Sequence, residues 1–428
     1  MLRTALVGSC LGLFAFTLCA AGGPTLSAPQ DWPRFRGPNG AGVGVANLPA
    51  KWTEKDYNWR ATLPGVGHSS PVVWGDRVFV TCGENETAKR IVLCLKTSDG
   101  RVAWRRDFDS KREQRNPDNS YASSTPAVDA DHVYVAWTAP EETTLLALTH
   151  DGKEVWRRGL GPFVSTHGSG TSPILVGDLV VLGDSQEVPE RVKMDVPPKS
   201  SIVALDAKTG EIRWRTDQRT TRVFYSTPIV CQLDGEPPQL IFTSTSHGFT
   251  SLDPSTGKIN WEVPDTMPER CVGSPLFASG LIFASCGTGG AGRHVVAVRP
   301  GSKKAGTPPQ IAYTVQKPVP YVPTPVAKDG LVYLWGDDGL VTCIRAATGE
   351  QVWQQRVGSN FYGSPVIVGD RLYCTSRQGD VFVLAAGEKP ELLARNPLGE
   401  PSHATPAVAN GVLYLRTLSH LISIGPAK

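Results

Sequence analysis

The stretch Thr324-Pro-Val-Ala-Lys-Asp-Gly-Leu-Val-Tyr-Leu-Trp335, followed by Gly339-Leu-Val-Thr-Cys-Ile344 and Ala347-Thr-Gly-Glu-Gln-Val-Trp353, reads as four short strands joined by tight turns. Apolar, β-branched runs alternate with Asp-Gly and Thr-Gly turns, which need the positive φ that Gly, Asp and Asn tolerate. The same passage recurs along the chain. A Ser or Thr stands before Pro and a short apolar run at Ser70-Pro71, Thr125-Pro126, Ser172-Pro173, Thr227-Pro228, Ser274-Pro275, Thr324-Pro325, Ser364-Pro365 and Thr405-Pro406, with successive prolines 40 to 55 residues apart. That period belongs to blade-type repeats, not to a single folded unit.

Pro is excluded from central strands but tolerated where its missing N–H faces no partner. A Pro at the start of every repeat therefore marks the innermost strand of a blade, paired on one side only, and the Ser or Thr before it suits the extended backbone that Pro imposes. A Gly followed four residues later by Trp recurs at Gly100/Trp104, Gly152/Trp156, Gly210/Trp214, Gly257/Trp261 and Gly349/Trp353. A large ring at one fixed place in the fourth strand is best used as a wedge against the neighbouring blade.

The ends of the chain complete the count. The eighth repeat has three strands, in 404–424, and lacks the Trp-bearing fourth, while Asn58-Trp-Arg-Ala-Thr62 is such a strand without a blade. Pairing the two removes both free sheet edges. The expectation is an all-β, eight-bladed propeller of four-stranded antiparallel blades spanning 58–428, its last blade closed by the N-terminal strand. An arm covers 24–57 and a secretory signal 1–23, with Arg3 before an apolar run and small residues at Ala20-Ala21-Gly22.

The apolar run is too short for a membrane span, so no transmembrane segment is expected. Lipid on Cys19 is disfavoured because Phe16-Thr17-Leu18 is a poor lipobox, and a periplasmic or secreted protein is preferred to an outer-membrane lipoprotein. A net charge of +3, from 43 basic and 40 acidic residues, leaves no footprint for nucleic acid. Beyond Cys10 and Cys19 seven cysteines remain, without a CxxC pair. Cys271 and Cys286 flank one hairpin at matched distances, which suits a cross-strand disulfide in an oxidising compartment and equally two buried thiols. Cys94 and Cys343 fall in the repeat slot of Ala147 and Ala204, as core fillers.

The loops that enter the inner strands and those between strands two and three open on one face. Aligned on their prolines, the eight approaches carry His68, Tyr121, His167, Tyr225, Arg270, Tyr321, Tyr362 and His403. This collar around the channel mouth is the candidate surface for a ligand or partner; the plainer use of such side chains is to fill a narrowing funnel. His68 and His403 share one repeat position in neighbouring blades, yet no third metal ligand accompanies them, and no metal is expected. The longest insertion, 184–200, with Glu187, Glu190, Arg191, Lys193 and Asp195, opens on the same face. Gly287-Thr-Gly-Gly-Ala-Gly292 lies between strands and leads into no helix, unlike a phosphate loop. Asp337-Asp338 is expected to solvate a turn. No G-x-S-x-G elbow or HExxH stands in the chain, so catalytic residues are not assigned.

The segment Ala204-Leu-Asp-Ala-Lys-Thr-Gly-Glu-Ile-Arg-Trp214, and nearly so Leu252-Asp-Pro-Ser-Thr-Gly-Lys-Ile-Asn-Trp261, resembles the signature of the pyrroloquinoline-quinone-like (PQQ-like) propeller repeat. Asp31-Trp-Pro-Arg-Phe-Arg-Gly-Pro-Asn-Gly40 resembles the leader of exported propellers of this type and is expected to pack on one face of the ring. The resemblance implies two branches. Quinone-dependent alcohol and sugar dehydrogenases hold PQQ and calcium in the channel and often carry a Cys-Cys disulfide, which this chain lacks. The propeller lipoprotein of the outer-membrane β-barrel assembly machinery is a scaffold of similar length. The expectation is therefore an exported, non-enzymatic scaffold without a cofactor, binding an envelope protein or small ligand at the channel mouth. A PQQ-dependent dehydrogenase is the alternative.

Overall fold

The computed structural model describes residues 31–192, 199–219, 222–289, 292–316 and 318–425. The signal sequence, Cys19, residues 24–30, and Lys193 and Asp195 of the insertion lie outside them. Eight antiparallel sheets follow one another around a ring, at 72–108, 127–159, 174–218, 229–263, 276–316, 326–356, 366–397 and 407–424. The eighth is completed by Tyr57–Thr62, which pairs antiparallel with His420–Ile424 and sets Trp59 opposite Ser423. The closure expected from the unpaired ends is thus present.

Each blade follows from its pattern. The second and third strands are packed on both faces and almost wholly buried, as in Leu331–Trp335, whereas the fourth strand is an edge that shows one face to solvent, as in Val102–Phe108. The Trp slot lies opposite a small residue: Trp104 faces Cys94, Trp156 Ala147, Trp214 Ala204 and Trp353 Cys343. The core-filler reading of both cysteines holds. Each indole then reaches the following blade, where its N–H donates to a turn carbonyl: Trp59 to Thr97 (2.8 Å), Trp104 to His150 (2.6 Å), Trp156 to Ala207 (2.9 Å) and Trp214 to Pro254 (2.9 Å). Gly100 has φ +69°, and a Cβ there would stand 2.5 Å from the Trp59 ring, so turn geometry and close approach both require glycine.

The Ser/Thr-Pro pairs do more than fit an extended backbone. The Ser70 N–H donates to Thr125 Oγ1 (2.9 Å), Thr125 N–H to Ser172 Oγ (2.9 Å), Thr227 N–H to Ser274 Oγ (2.9 Å) and Ser274 N–H to Thr324 Oγ1 (2.9 Å). The series continues from Thr324 to Ser364 (2.9 Å), Ser364 to Thr405 (3.0 Å) and Thr405 back to Ser70 (3.2 Å). At seven of the eight positions the hydroxyl satisfies a buried amide of the preceding blade that no strand can pair, and a hydroxyl girdle runs around the channel.

The arm departs from expectation. It does more than pack on one face: from Asp31 at the Gly75 turn to Leu48 beside Arg371 it crosses the channel and plugs it from the face of the first hairpin turns. Trp32, with no exposed surface, bridges to Val73 of blade one, and the Val128 amide of blade two donates to Pro33 O. Arg34 donates to Pro228 O (2.6 Å), and Arg36 to Pro325 O (2.7 Å) and Pro365 O (2.9 Å). Asn39 exchanges two hydrogen bonds with Val230, and Val43–Gly44 adds a fifth, parallel strand inside blade seven. The reason is the ring itself: eight inner strands present unpaired backbone groups to the channel, and the arm supplies donors and acceptors for them.

Farther along, Trp52 stacks on Tyr373 with ring centroids 6.4 Å apart. Tyr373 belongs to a row in which Tyr134, Tyr333 and Tyr414 each touch the Trp of their own blade. Blade seven has Ala394 in the Trp slot, opposite Val383. The arm therefore provides the ring that this blade lacks.

Candidate functional site

With the arm across the channel, the collar face becomes a blind cup of about 380 Å³. Phe35, between the two arm arginines, forms part of its floor, and all eight girdle residues, from Ser70 to Thr405, line it. Of the eight collar residues, His68, His167, Tyr225, Arg270, Tyr321, Tyr362 and His403 line the cup. Tyr121 does not: it is buried, its ring held between the guanidiniums of Arg90 (4.3 Å) and Arg115 (4.6 Å). Repeat position brought it to the face, but two cations on its flanks turned it into the wall.

His68 and His403 are neighbours as the closed ring requires, with ring centroids 4.4 Å apart at 30°. No group of three or more His, Cys, Asp or Glu suited to a metal occurs among the described residues. Burial holds the His68 imidazole well below its usual pKa, helped by His403, Arg416 and Arg115; His403 is lowered by burial and then by Arg377. Burial also lowers His167, with Arg270 next. Burial raises the Tyr225 and Tyr321 phenols. The lining is thus uncharged over most of its area at neutral pH.

A strap that no sequence motif marks crosses the mouth. Residues 109–120 run from the outer strand of blade one towards blade two, and bring Asn116, Asp118 and Asn119 to the cup. Asp118 reaches over blade eight to blade seven, where it accepts from the Tyr362 hydroxyl (3.1 Å) and pairs with Arg377, whose guanidinium lies 4.3 Å over the Tyr362 ring. At the strap's other end Glu113 is largely enclosed beside Arg90 (3.6 Å) and accepts from Thr138 Oγ1; desolvation pushes its carboxyl up to about 7. The run 109–120 is rich in charge and carries no repeat signal, so no pattern in the chain announces that it spans the mouth.

Further ion pairs brace the rim, Arg222 with Glu269 (3.0 Å), Arg270 with Glu187 (3.8 Å) and Arg293 with Asp337 (3.7 Å). Glu187, from the insertion, is fully buried, its amide bonded to Val164 O (2.9 Å). Asp337 does not solvate its turn: it accepts the Tyr321 and Val322 amides (2.7 and 3.1 Å) and fixes that approach to the cup, whereas Asp338 meets Arg356 at the surface. Gly289 of the glycine-rich loop also lines the cup. Cys271 and Cys286 are both buried and unbridged in this structure, and Cys286 Sγ lies 3.5 Å from His294 Nε2.

A family model described as outer membrane protein assembly factor BamB matches residues 56–223, 190–334, 301–391 and 337–423, nearly the whole ring. The chain belongs to this family. Over 270 residues it is 23% identical to BamB of Yersinia pestis, covering 62% of this chain and 64% of that protein. Over 142 residues it is 32% identical to BamB of Burkholderia pseudomallei, covering 33% and 37%. The chain thus spans less than two thirds of these curated relatives. It is also 24% identical over 296 residues to a polyvinylalcohol dehydrogenase of Pseudomonas sp., covering 56% of this chain and 44% of that protein. Among solved structures, BamB of Moraxella catarrhalis aligns with a TM-score of 0.58 at 15% identity, covering 85% of this chain and 95% of that one. A europium-containing methanol dehydrogenase aligns at 0.54 and 12%, covering 91% and 90%. These structural likenesses establish the shared propeller and nothing finer, because one ring hosts both classes.

Proposed function

We propose that the protein is an exported, non-enzymatic scaffold that holds a protein partner at the cup face, in the assembly of outer-membrane proteins. The observation that supports this most is the blind cup. It is where the eight repeats differ from one another, and it combines aromatic rings, neutral imidazoles and a polar floor in the manner of a binding site. Membership of the BamB family supports the envelope setting.

The dehydrogenase alternative needs PQQ and calcium. Calcium takes six to eight oxygen ligands, carboxylates prominent among them. Asp118 is the one carboxylate among the described residues lining the cup, and Tyr362 and Arg377 already engage it. That donor set does not fit the pair.

The test is capture from an envelope extract on the immobilised protein, wild type beside Tyr225→Ala and Tyr362→Ala. An outer-membrane β-barrel protein or a component of its assembly is expected on the wild type, reduced at least about tenfold on each variant, the loss of one buried aromatic anchor. Equal retention on all three removes the cup from the binding surface.

A further inference from the structure

We propose that the cup receives the free carboxylate end of a polypeptide, held over the hydroxyl girdle by the field of three buried guanidiniums. This rests on the partner-binding reading and states which part of the partner enters. Arg34, Arg36 and Arg416 are 6, 0 and 1% exposed. Their hydrogen bonds go to neutral groups around the girdle: Arg34 to Pro228 O, Arg36 to Thr324, Pro325 and Pro365 O, and Arg416 to Ser69 O and Oγ and to Cys82 Sγ. None forms an ion pair among the described residues; Glu400 acts on Arg416 at longer range. The Nε atoms of Arg34 and Arg416 are buried without any partner.

A charge taken out of water is costly unless an opposite charge meets it. Arg34 and Arg36 flank Phe35 of the floor and Arg416 donates to Ser69 beside His68 of the wall, so uncompensated like charges stand behind the lining of one cavity, and burial of Arg34 and Arg36 without an anion lowers both to about 9. The field reaches the lining at His68, which burial lowers first and Arg416 lowers further, whereas His167 and His403 are depressed by burial and by the rim guanidiniums of Arg270 and Arg377. Above the arginines lies the girdle. Seven of its eight hydroxyls accept backbone amides, and among the described residues none passes its own proton to another group. Unspent O–H donors over a cationic floor are what a carboxylate, which only accepts, requires.

Shape selects the bearer of the charge. The arm seals the channel, so no chain can thread it, and an α-carboxylate can enter the cup end-on. Tyr225, Tyr321, Tyr362 and Phe35 then stand around the last side chain, which suits an aromatic or apolar terminal residue.

The experiment uses the full chain, immobilised, and two random N-acetylated hexapeptide libraries free of Asp and Glu, one ending in a carboxylate and one in an amide. Mass spectrometry of the retained peptides is expected to show the acid library enriched at least about tenfold over the amide. The preference is expected to vanish in Arg34→Met and to persist in Arg34→Lys; if Arg34→Met does not fold, the wild-type comparison decides alone. Equal retention, or retention of neither library, overturns the inference, and does so even when the envelope capture succeeds. Displacement of bound peptide by glucuronate at lower concentration than by acetyl-Gly-Gly-Phe assigns the cup to an acidic sugar and likewise overturns it.

Discussion

Trp52→Ala tests whether the arm is part of the propeller or a ribbon laid against it. The ring is 4% exposed, and emptying such a site costs about 3–5 kcal/mol in transfer and cavity terms. The lower end applies here: the Trp52 indole N–H has no acceptor, so its removal relieves an unpaired buried donor. The Trp52 amide bond to Asn396 Oδ1 (3.0 Å) is untouched by the change. About 3 kcal/mol is therefore expected from urea unfolding followed by far-ultraviolet circular dichroism, as midpoint shift times slope. The decisive variant moves the ring back into the repeat. Ala394→Trp alone overpacks a slot that Trp52 already fills and costs about 1–3 kcal/mol, but in the Trp52→Ala background it should recover about half of the loss, a coupling of opposite sign to both single changes. A double variant no more stable than the sum of the two singles would refute the idea that the arm fills the blade-seven slot.

Thr324→Val removes the acceptor of the buried Ser274 amide and should lower stability by about 1–3 kcal/mol, while Thr324→Ser should stay within about 0.5 kcal/mol of wild type; similar urea midpoints for both would show that the girdle is incidental. Glu113 has its folded pKa raised from 4.5 to about 7, so its protonated form is favoured by folding: that contribution is complete below about pH 4.5 and is lost as pH rises through 7. Glu113→Gln should thus stabilise the protein relative to wild type at pH 8, by at most about 3 kcal/mol, and the gap should narrow towards pH 5; a pH-independent difference in thermal midpoint would contradict the assignment. Arg377→Ala frees Asp118 and unlatches the strap, so trypsin should cut after Lys111, Arg112 or Arg115 several-fold faster, with global stability changed by under about 1 kcal/mol because the pair is part-exposed. Unchanged cleavage kinetics would mean that Glu113 and Arg115 hold the strap without it.

The ring was legible because it is written eight times. A Ser/Thr-Pro pair, a turn glycine and a Trp each carry one structural demand, and a demand that recurs in register can be read without knowing the fold. The closure of blade eight by Trp59 followed from the same bookkeeping, since a fourth strand was missing at one end and spare at the other. Features that occur once escaped. Nothing in Arg34-Phe-Arg36 says that two guanidiniums will be buried among carbonyls, because their partners at Pro228, Pro325 and Pro365 are brought together only by the closed ring. Asp118 finds Arg377 across 259 residues for the same reason. Tyr121 failed as a collar residue because its flanking cations come from Arg90 and Arg115, outside the repeat register.

The division between what repeats and what does not also separates structure from function. The girdle hydroxyls are equivalent by position and tie blade to blade, so they impose eightfold regularity on the floor of the cup. The arm breaks that regularity by filling the channel from one side, placing Phe35 in the floor and two charges behind it; the strap breaks it again from above with Asp118. A ring without either would be an open pore lined by backbone, with no reason to prefer one solute over another. Arm and strap convert the pore into a cup with a closed end, a charge and an entrance, and selectivity at this face should therefore follow changes at Arg34 and Asp118 more closely than changes anywhere in the repeat.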